Sequence, residues 1–406
     1  MMSEDETKTP KLEGEEAVAL WRKGRIAWNN WIANHSNTEI SFANVNFSSE
    51  RHSKAVLSFE GYNFGNRTVS FSNANFGCGS VYFTGAVFGD GGVDFSEANF
   101  QEGIVSFFRA TFGDGDINFD YANFNGDGLA LIEFSLGKGN INLNYTRATY
   151  IIVKPDRIAD GRIEGQGLKA SNNAIFDLES PNIKLRRFDL LGASFEGALL
   201  IKGDLAIVPD LRAARSSHQI ELSGLNIELR RVQASRFRLG RFTFSAEDPE
   251  DSARLRRLKE IAEINKDHKA ALRFSAEENR ASRWITTSKL GSLLDIAFSG
   301  FSDYGQSIIR PITHLIFIFL MSVQVYRTLA IPMDQKIITF ENAVSLSLGN
   351  SLPFLPQARA LRDDAIKVLY SNDPSLLIDA IMIGQGTLSF IFLFLIGLGL
   401  RNRFRL

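Results

Sequence analysis

At 406 residues the chain exceeds the size at which one hydrophobic core keeps growing, so at least two structural units are expected. A formal net charge of −1 excludes a general nucleic-acid binder or a polyanion mimic, and a single cysteine, Cys78, excludes an intrachain disulfide. The 33 Phe, set against 8 Tyr and 4 Trp, crowd the first third, whereas Leu, Ile and Phe runs fill the last quarter, so the units differ in kind.

The opening MMSEDETKTPKLEGEE is polar and lacks an apolar export segment, so the large N-terminal part is expected in the cytosol. Glu15 to Ala33, with Val18, Leu20, Trp21, Ile26, Trp28, Trp31 and Ile32, reads as an amphipathic helix. Residues 1–37 therefore form a cap over the strand edges that a repeat array would otherwise expose.

Residues 38–150 carry the repeat. The pattern V-x-F-x-x-A-x-F returns every 12 residues as VSFSNANF, VYFTGAVF, VDFSEANF, VSFFRATF and INFDYANF. One register holds Phe71, Phe83, Phe95, Phe107 and Phe119, and a second holds Phe76, Phe88, Phe100, Phe112 and Phe124. A third holds Ala74, Ala86, Ala98, Ala110 and Ala122. Gly, Asn and Asp at the corners break every helical turn, so short parallel strands are predicted, stacked as a solenoid around a Phe interior with two dodecads to a coil. These residues resemble the Phe-rich, spaced variety of the pentapeptide-repeat proteins, in which F-x-x-A-x-F replaces the tighter A-(D/N)-L-x-x. The resemblance implies a right-handed quadrilateral β-helix. From Leu129 the Phe positions drift to Leu131, Leu136 and Leu143, and residues 151–247 read as an irregular continuation that includes VQASRFRLGRFTF.

Residues 248–288 are predicted to form a charged helical hairpin linking the halves: Pro249 and acids open the first helix, and Leu255, Leu258 and Ile261 mark its apolar stripe. Its many charges are expected to form a solvated, salt-bridged surface. Residues 289–406 begin with KLGSLLDIAFSGFSDYG, whose Leu290, Leu293, Leu294, Phe298 and Phe301 share a face suited to lying along a membrane. Two apolar runs follow, giving expected transmembrane helices at about 311–330 and 377–400. Ala380 to Leu400 is 21 residues without a formal charge, roughly 31 Å as a helix. Two spans place both termini on one side. Arg401, Arg403 and Arg405 after the last span, with the missing export segment, favour the cytoplasmic side of an inner membrane.

Between the spans, ITFENAVSLSLGNSLPFLP predicts a short helix from Phe340 to Leu348, a bend at Gly349, Asn350 and Ser351, and a re-entrant loop over about 338–356. With SDYGQSIIRP before the first span and LRNRFRL at the end, this resembles the channel-like module found behind some bacterial pentapeptide repeats. No T-V-G-Y-G-type filter is present, so potassium selectivity is not implied. The expected function is an oligomeric membrane pore, ion channel-like, whose cytoplasmic solenoid senses or docks a protein partner. Gly349, Asn350, Ser351 and Gln385 are its pore-lining candidates. Arg401, Arg403 and Arg405 stand at the cytoplasmic mouth or simply set topology. For Gln385 an interhelical hydrogen bond is the competing role. The alternative is a non-conducting, membrane-anchored scaffold.

An enzyme is not expected. The 5 histidines, at positions 35, 52, 218, 268 and 314, have no ligand-spaced partners, so no catalytic residue, metal or cofactor is predicted. Partners are expected to be the bilayer, further copies of the chain and a cytoplasmic protein. Nucleic acid is not among them, and Asp at the repeat corners reads as turn chemistry rather than DNA mimicry.

Overall fold

The structure, a computed structural model, describes residues 10–35, 37–51, 56–229, 231–233, 244–331, 336–352 and 354–404. The chain divides into two units, the first carrying the repeat and extending to Ser282, the second running from Arg283 onward.

In the first unit, short strands stack into three parallel sheets. Each pass lays down Val69–Ser70, Asn75–Cys78, Ser80–Tyr82 and Val87–Phe88 in turn, and the next pass pairs with it 24 residues later: Val69 with Val93, Val81 with Val105, Thr111 with Val87. The strand Arg157–Glu164 pairs at its start with Ser135–Leu136 and at its end with Asn140–Asn142, joining two of the strand columns in one sheet. Because the return is 24 residues and neighbouring strands lie ~4.8 Å apart, each Phe meets the Phe two dodecads away. Phe71 stacks on Phe95 at 4.9 Å, Phe83 on Phe107 at 4.7 Å, Phe88 on Phe112 at 5.0 Å and Phe76 on Phe100 at 4.3 Å. Successive dodecads thus feed alternate columns. All ten repeat Phe, Phe119 and Phe124 included, are buried, with Ala74, Ala86, Ala98, Ala110 and Ala122 tucked behind the corners.

Beyond Leu129 the return changes length, as in Leu129 pairing with Ile151 and Ala174 with Leu199, yet the strands stay in the same sheets through Leu225–Ile227. The stretch VQASRFRLGRFTF differs from the expected continuation. Arg231–Gln233 pairs antiparallel with Phe244–Ala246, and residues 234–243 lie outside the described residues. Lacking the F-x-x-A-x-F register, this stretch has nothing that commits it to a parallel column.

The ends of the stack are covered by helices. The expected single N-terminal helix is two, α1 (Gly14–Arg22) and α2 (Arg25–Asn34), because Gly24 adopts a φ of 87° that a continuous helix cannot hold. The indole of Trp28 is fully buried against Phe42 and Phe64, and its Nε1 donates to the carbonyl of Asn63 at 2.8 Å. Residues 248–288 do more than link. Helices α3 (Asp251–Ile264) and α4 (His268–Ser282) sink Leu255, Leu258, Ile261 and Phe274 into the core shared with the last strands. Their charges still pair at the surface, Arg256 with Glu278 at 2.9 Å among them.

The second unit is helical: α5 (Lys289–Ser302), α6 (Ile309–Thr328), α7 (Lys336–Ser351), α8 (Pro356–Tyr370) and α9 (Leu376–Phe404). Helices α6 and α9 are long and apolar enough to cross a membrane. Helix α5 leaves Leu290, Leu293 and Leu294 exposed. The expected bend at Gly349 to Ser351 is absent, since those residues form the last turn of α7, which fills most of the expected 338–356 loop, and a further helix, α8, follows it. The physical cause is local. A Cβ on Gly349 would lie 2.7 Å from the carbonyl oxygen of Ala358, so glycine serves close packing of α7 on α8, and Pro356 starts α8 at its first helical position.

Candidate functional site

Helices α6, α7 and α9 of the second unit each contribute to one buried polar cluster. Tyr326 on α6 donates its hydroxyl to Oε1 of Gln385 on α9 at 2.7 Å. The amide nitrogen of Gln385 donates to α7, reaching the hydroxyl of Ser347 at 2.8 Å, its carbonyl at 3.0 Å and the hydroxyl of Ser351 at 3.1 Å. Asn350 donates from Nδ2 to the Tyr326 hydroxyl at 3.2 Å. Tyr370 on α8 adds a bond to the carbonyl of Tyr326 at 3.1 Å, and Ser347 one to the carbonyl of Phe319 at 3.0 Å. Tyr326, Ser347, Asn350, Ser351 and Gln385 are all buried. In an apolar bundle such groups are retained where they find one another, and the network fixes which faces of the three helices meet.

The structure therefore brings Asn350, Ser351 and Gln385 together, each hydrogen-bonded inside one copy of the chain. Gly349 lies against α8 instead. Beside Asn350 a groove of about 520 Å³ opens, lined by Arg362, Asp363, Asp379, Met382 and Gly386 among others. Arg401 and Arg403 are exposed near the end of α9, and Arg405 lies outside the described residues. His314 donates from Nδ1 to the carbonyl of Arg310, 2.7 Å away, and packs between Phe301 and Phe392. Among the described residues no group of three or more His, Cys, Asp or Glu is placed to hold a metal ion.

In the first unit a second polar cluster docks α3 on the last strands. Asp210 accepts from Arg212 at 2.7 Å and from Arg254 at 3.4 Å, while Arg254 reaches Asp248 at 2.6 Å and Asp251 at 3.0 Å, and Arg212 reaches Glu250 at 2.6 Å. Burial alone would raise Asp210, but the bonds and charge of Arg212 hold it below the usual carboxylate range. Asp251 goes the other way. Burial pushes it up to about 6, the neighbouring charge of Asp248 adds to this, and Arg254 opposes it.

Sequence reasoning missed Tyr326 and Ser347. Each is an unremarked polar residue on an apolar helix, and the usable signal was that Gln385 needs partners at the same depth. No protein-family model, curated protein or solved structure matches the chain.

Proposed function

We propose that the chain is a membrane-anchored scaffold: its parallel sheets close into a right-handed quadrilateral β-helix of the pentapeptide-repeat type, held at the cytoplasmic face by two membrane-crossing helices and displayed to a protein partner. The 24-residue return through four strand positions and the two alternating Phe columns support the fold. The lengths and apolar faces of α6 and α9 support the anchor. The observation that carries the scaffold reading over a pore is the Gln385 cluster. Its polar side chains are hydrogen-bonded to each other within one copy of the chain, which suits holding a bundle together rather than lining a conduit.

Cys78 tests the anchoring and its sidedness, because it is the only cysteine and is exposed. In cells making the full chain, a membrane-impermeant maleimide is expected to label membrane-fraction protein only after permeabilisation. Labelling in intact cells, or recovery of the protein in the soluble fraction, overturns the reading.

A second reading, an oligomeric pore gated by the solenoid, draws on the groove beside Asn350, where Arg362, Asp363 and Asp379 give the bundle a charged recess. It needs several copies around an axis and a measurable flux.

A further inference from the structure

The surface of the first unit carries a recess unrelated to the helical bundle. Its corner residues follow one another from pass to pass as Glu97, Tyr121, Tyr145, Gly167 and Gly192, linked by backbone hydrogen bonds such as Tyr121 N to Asn144 O and Tyr145 N to Gln166 O. All five have positive φ, a conformation that suits Gly and strains a ring-bearing residue. Two successive corners are nonetheless tyrosines. The rings of Tyr121 and Tyr145 stack at 5.1 Å and 14°, and they remain 61% and 53% exposed, so they add little to the core. The stack stops at the next corner, where a Cβ on Gly167 would fall 2.8 Å from Cδ1 and Cε1 of Tyr145. Gly192, one pass further, has open space above it.

Two residues after these corners runs a column of strand residues in register, Asn123 beside Arg147 and Arg147 beside Lys169. Like charges directly opposite on neighbouring strands destabilise a sheet. Neither cation has a carboxylate within 4.0 Å among the described residues. The Oδ1 of Asn123 is buried and also lacks a hydrogen-bond partner among them. Tyr121, Asn123, Tyr145, Arg147, Gly167 and Lys169 together line a recess of about 350 Å³.

We infer that this recess binds a nucleoside phosphate, with the ring on Tyr145, the phosphate between Arg147 and Lys169, and a ring or sugar donor on Asn123. Each group asks for a different part of one ligand. Two unpaired cations at strand spacing suit a phosphate, which takes charge-assisted bonds from both. An exposed tyrosine beside a bare corner suits a flat ring. A buried, unspent amide oxygen suits an N–H or O–H donor. The recess has the size of a single nucleotide. A polymer would have to run on over the earlier passes, where the corner before Tyr121 is Glu97 and the strand position before Asn123 is the neutral Asn99. The site is independent of whether the helical unit conducts.

The test is calorimetric titration of the full chain in detergent micelles with the four nucleoside 5′-monophosphates, their unphosphorylated nucleosides, inorganic phosphate and a short single-stranded RNA. At least one monophosphate is expected to bind about ten-fold or more tightly than its nucleoside and than inorganic phosphate. Tyr145→Gly, and Arg147→Gln combined with Lys169→Gln, are each expected to weaken it by about ten-fold or more. Both variants should keep the wild-type far-UV circular dichroism, since the Gly relieves a strained corner and the Gln pair removes a like-charge contact. Failure of every monophosphate to bind, binding untouched by these substitutions, inorganic phosphate binding as tightly, or RNA binding far more tightly than any monophosphate would each overturn the inference.

Discussion

The side-chain amide of Gln385 on α9 donates to the hydroxyl of Ser347 on α7 at 2.8 Å, while its oxygen accepts from Tyr326 on α6, so one side chain ties three helices. Replacing it with leucine leaves Tyr326, Ser347 and Ser351 short of partners in an apolar setting. Gln385→Leu is expected to destabilise the bundle by about 1–2 kcal/mol, measured by denaturant unfolding in micelles. A variant as stable as wild type would show that the cluster contributes little to holding the helices.

Two helical glycines make opposite predictions. At Gly349 an added methyl meets the Ala358 carbonyl at 2.7 Å, whereas at Gly384 nothing lies within 4 Å. Gly384→Ala gains helix propensity and is expected to stabilise by about 0.5–1 kcal/mol. Gly349→Ala makes the same local gain but must push α7 off α8, so thermal unfolding in micelles should show a net loss. Equal effects at both sites would contradict the close approach.

The docking of α3 has a pH signature. The folded-state pKa of Asp251 is raised to about 6, above the ordinary value of 3.8. The folded state therefore holds this proton in a window where the unfolded chain has lost it. The stability this protonation gives is full below pH 3.8 and is lost as pH rises through about 6. Asp210, held low by Arg212, has the opposite sign: its contribution is present above the ordinary carboxylate pKa and is lost on acidification. Asp251→Asn, which cannot ionise, is expected to stabilise the first unit by roughly 1–3 kcal/mol at neutral pH and by little near pH 4. Melting curves of wild type and variant across that range check it, and a gain that does not change with pH would contradict the assignment.

How far the sequence could be read depended on whether partners repeat. The Phe columns were legible because a constant return makes Phe71 meet Phe95 and Phe83 meet Phe107, so the period carries the contact. The membrane-length helices were legible from run length alone. By contrast, nothing repeats in the pairing of Tyr326 with Gln385 or of Gly349 with Ala358, and each becomes visible only once α7 and α8 are packed. Helix α8 went unread because the Arg, Asp and Lys of PQARALRDDAIKVLY interrupt its apolar residues, although its Ala365 and Leu369 reach the core. The hairpin's capping role was masked by its charges: Leu255, Leu258, Ile261 and Phe274 are few beside the Arg and Glu around them, yet they carry its packing into the core shared with the last strands.

The central claim, that the bundle anchors rather than conducts, is tested most directly by ion and small-solute flux from liposomes containing the full-length protein, with insertion verified by protease protection. Wild-type protein and Asn350→Ala are both predicted to give no flux above empty liposomes. A wild-type flux that changes when Asn350 is replaced would contradict the account and establish the pore.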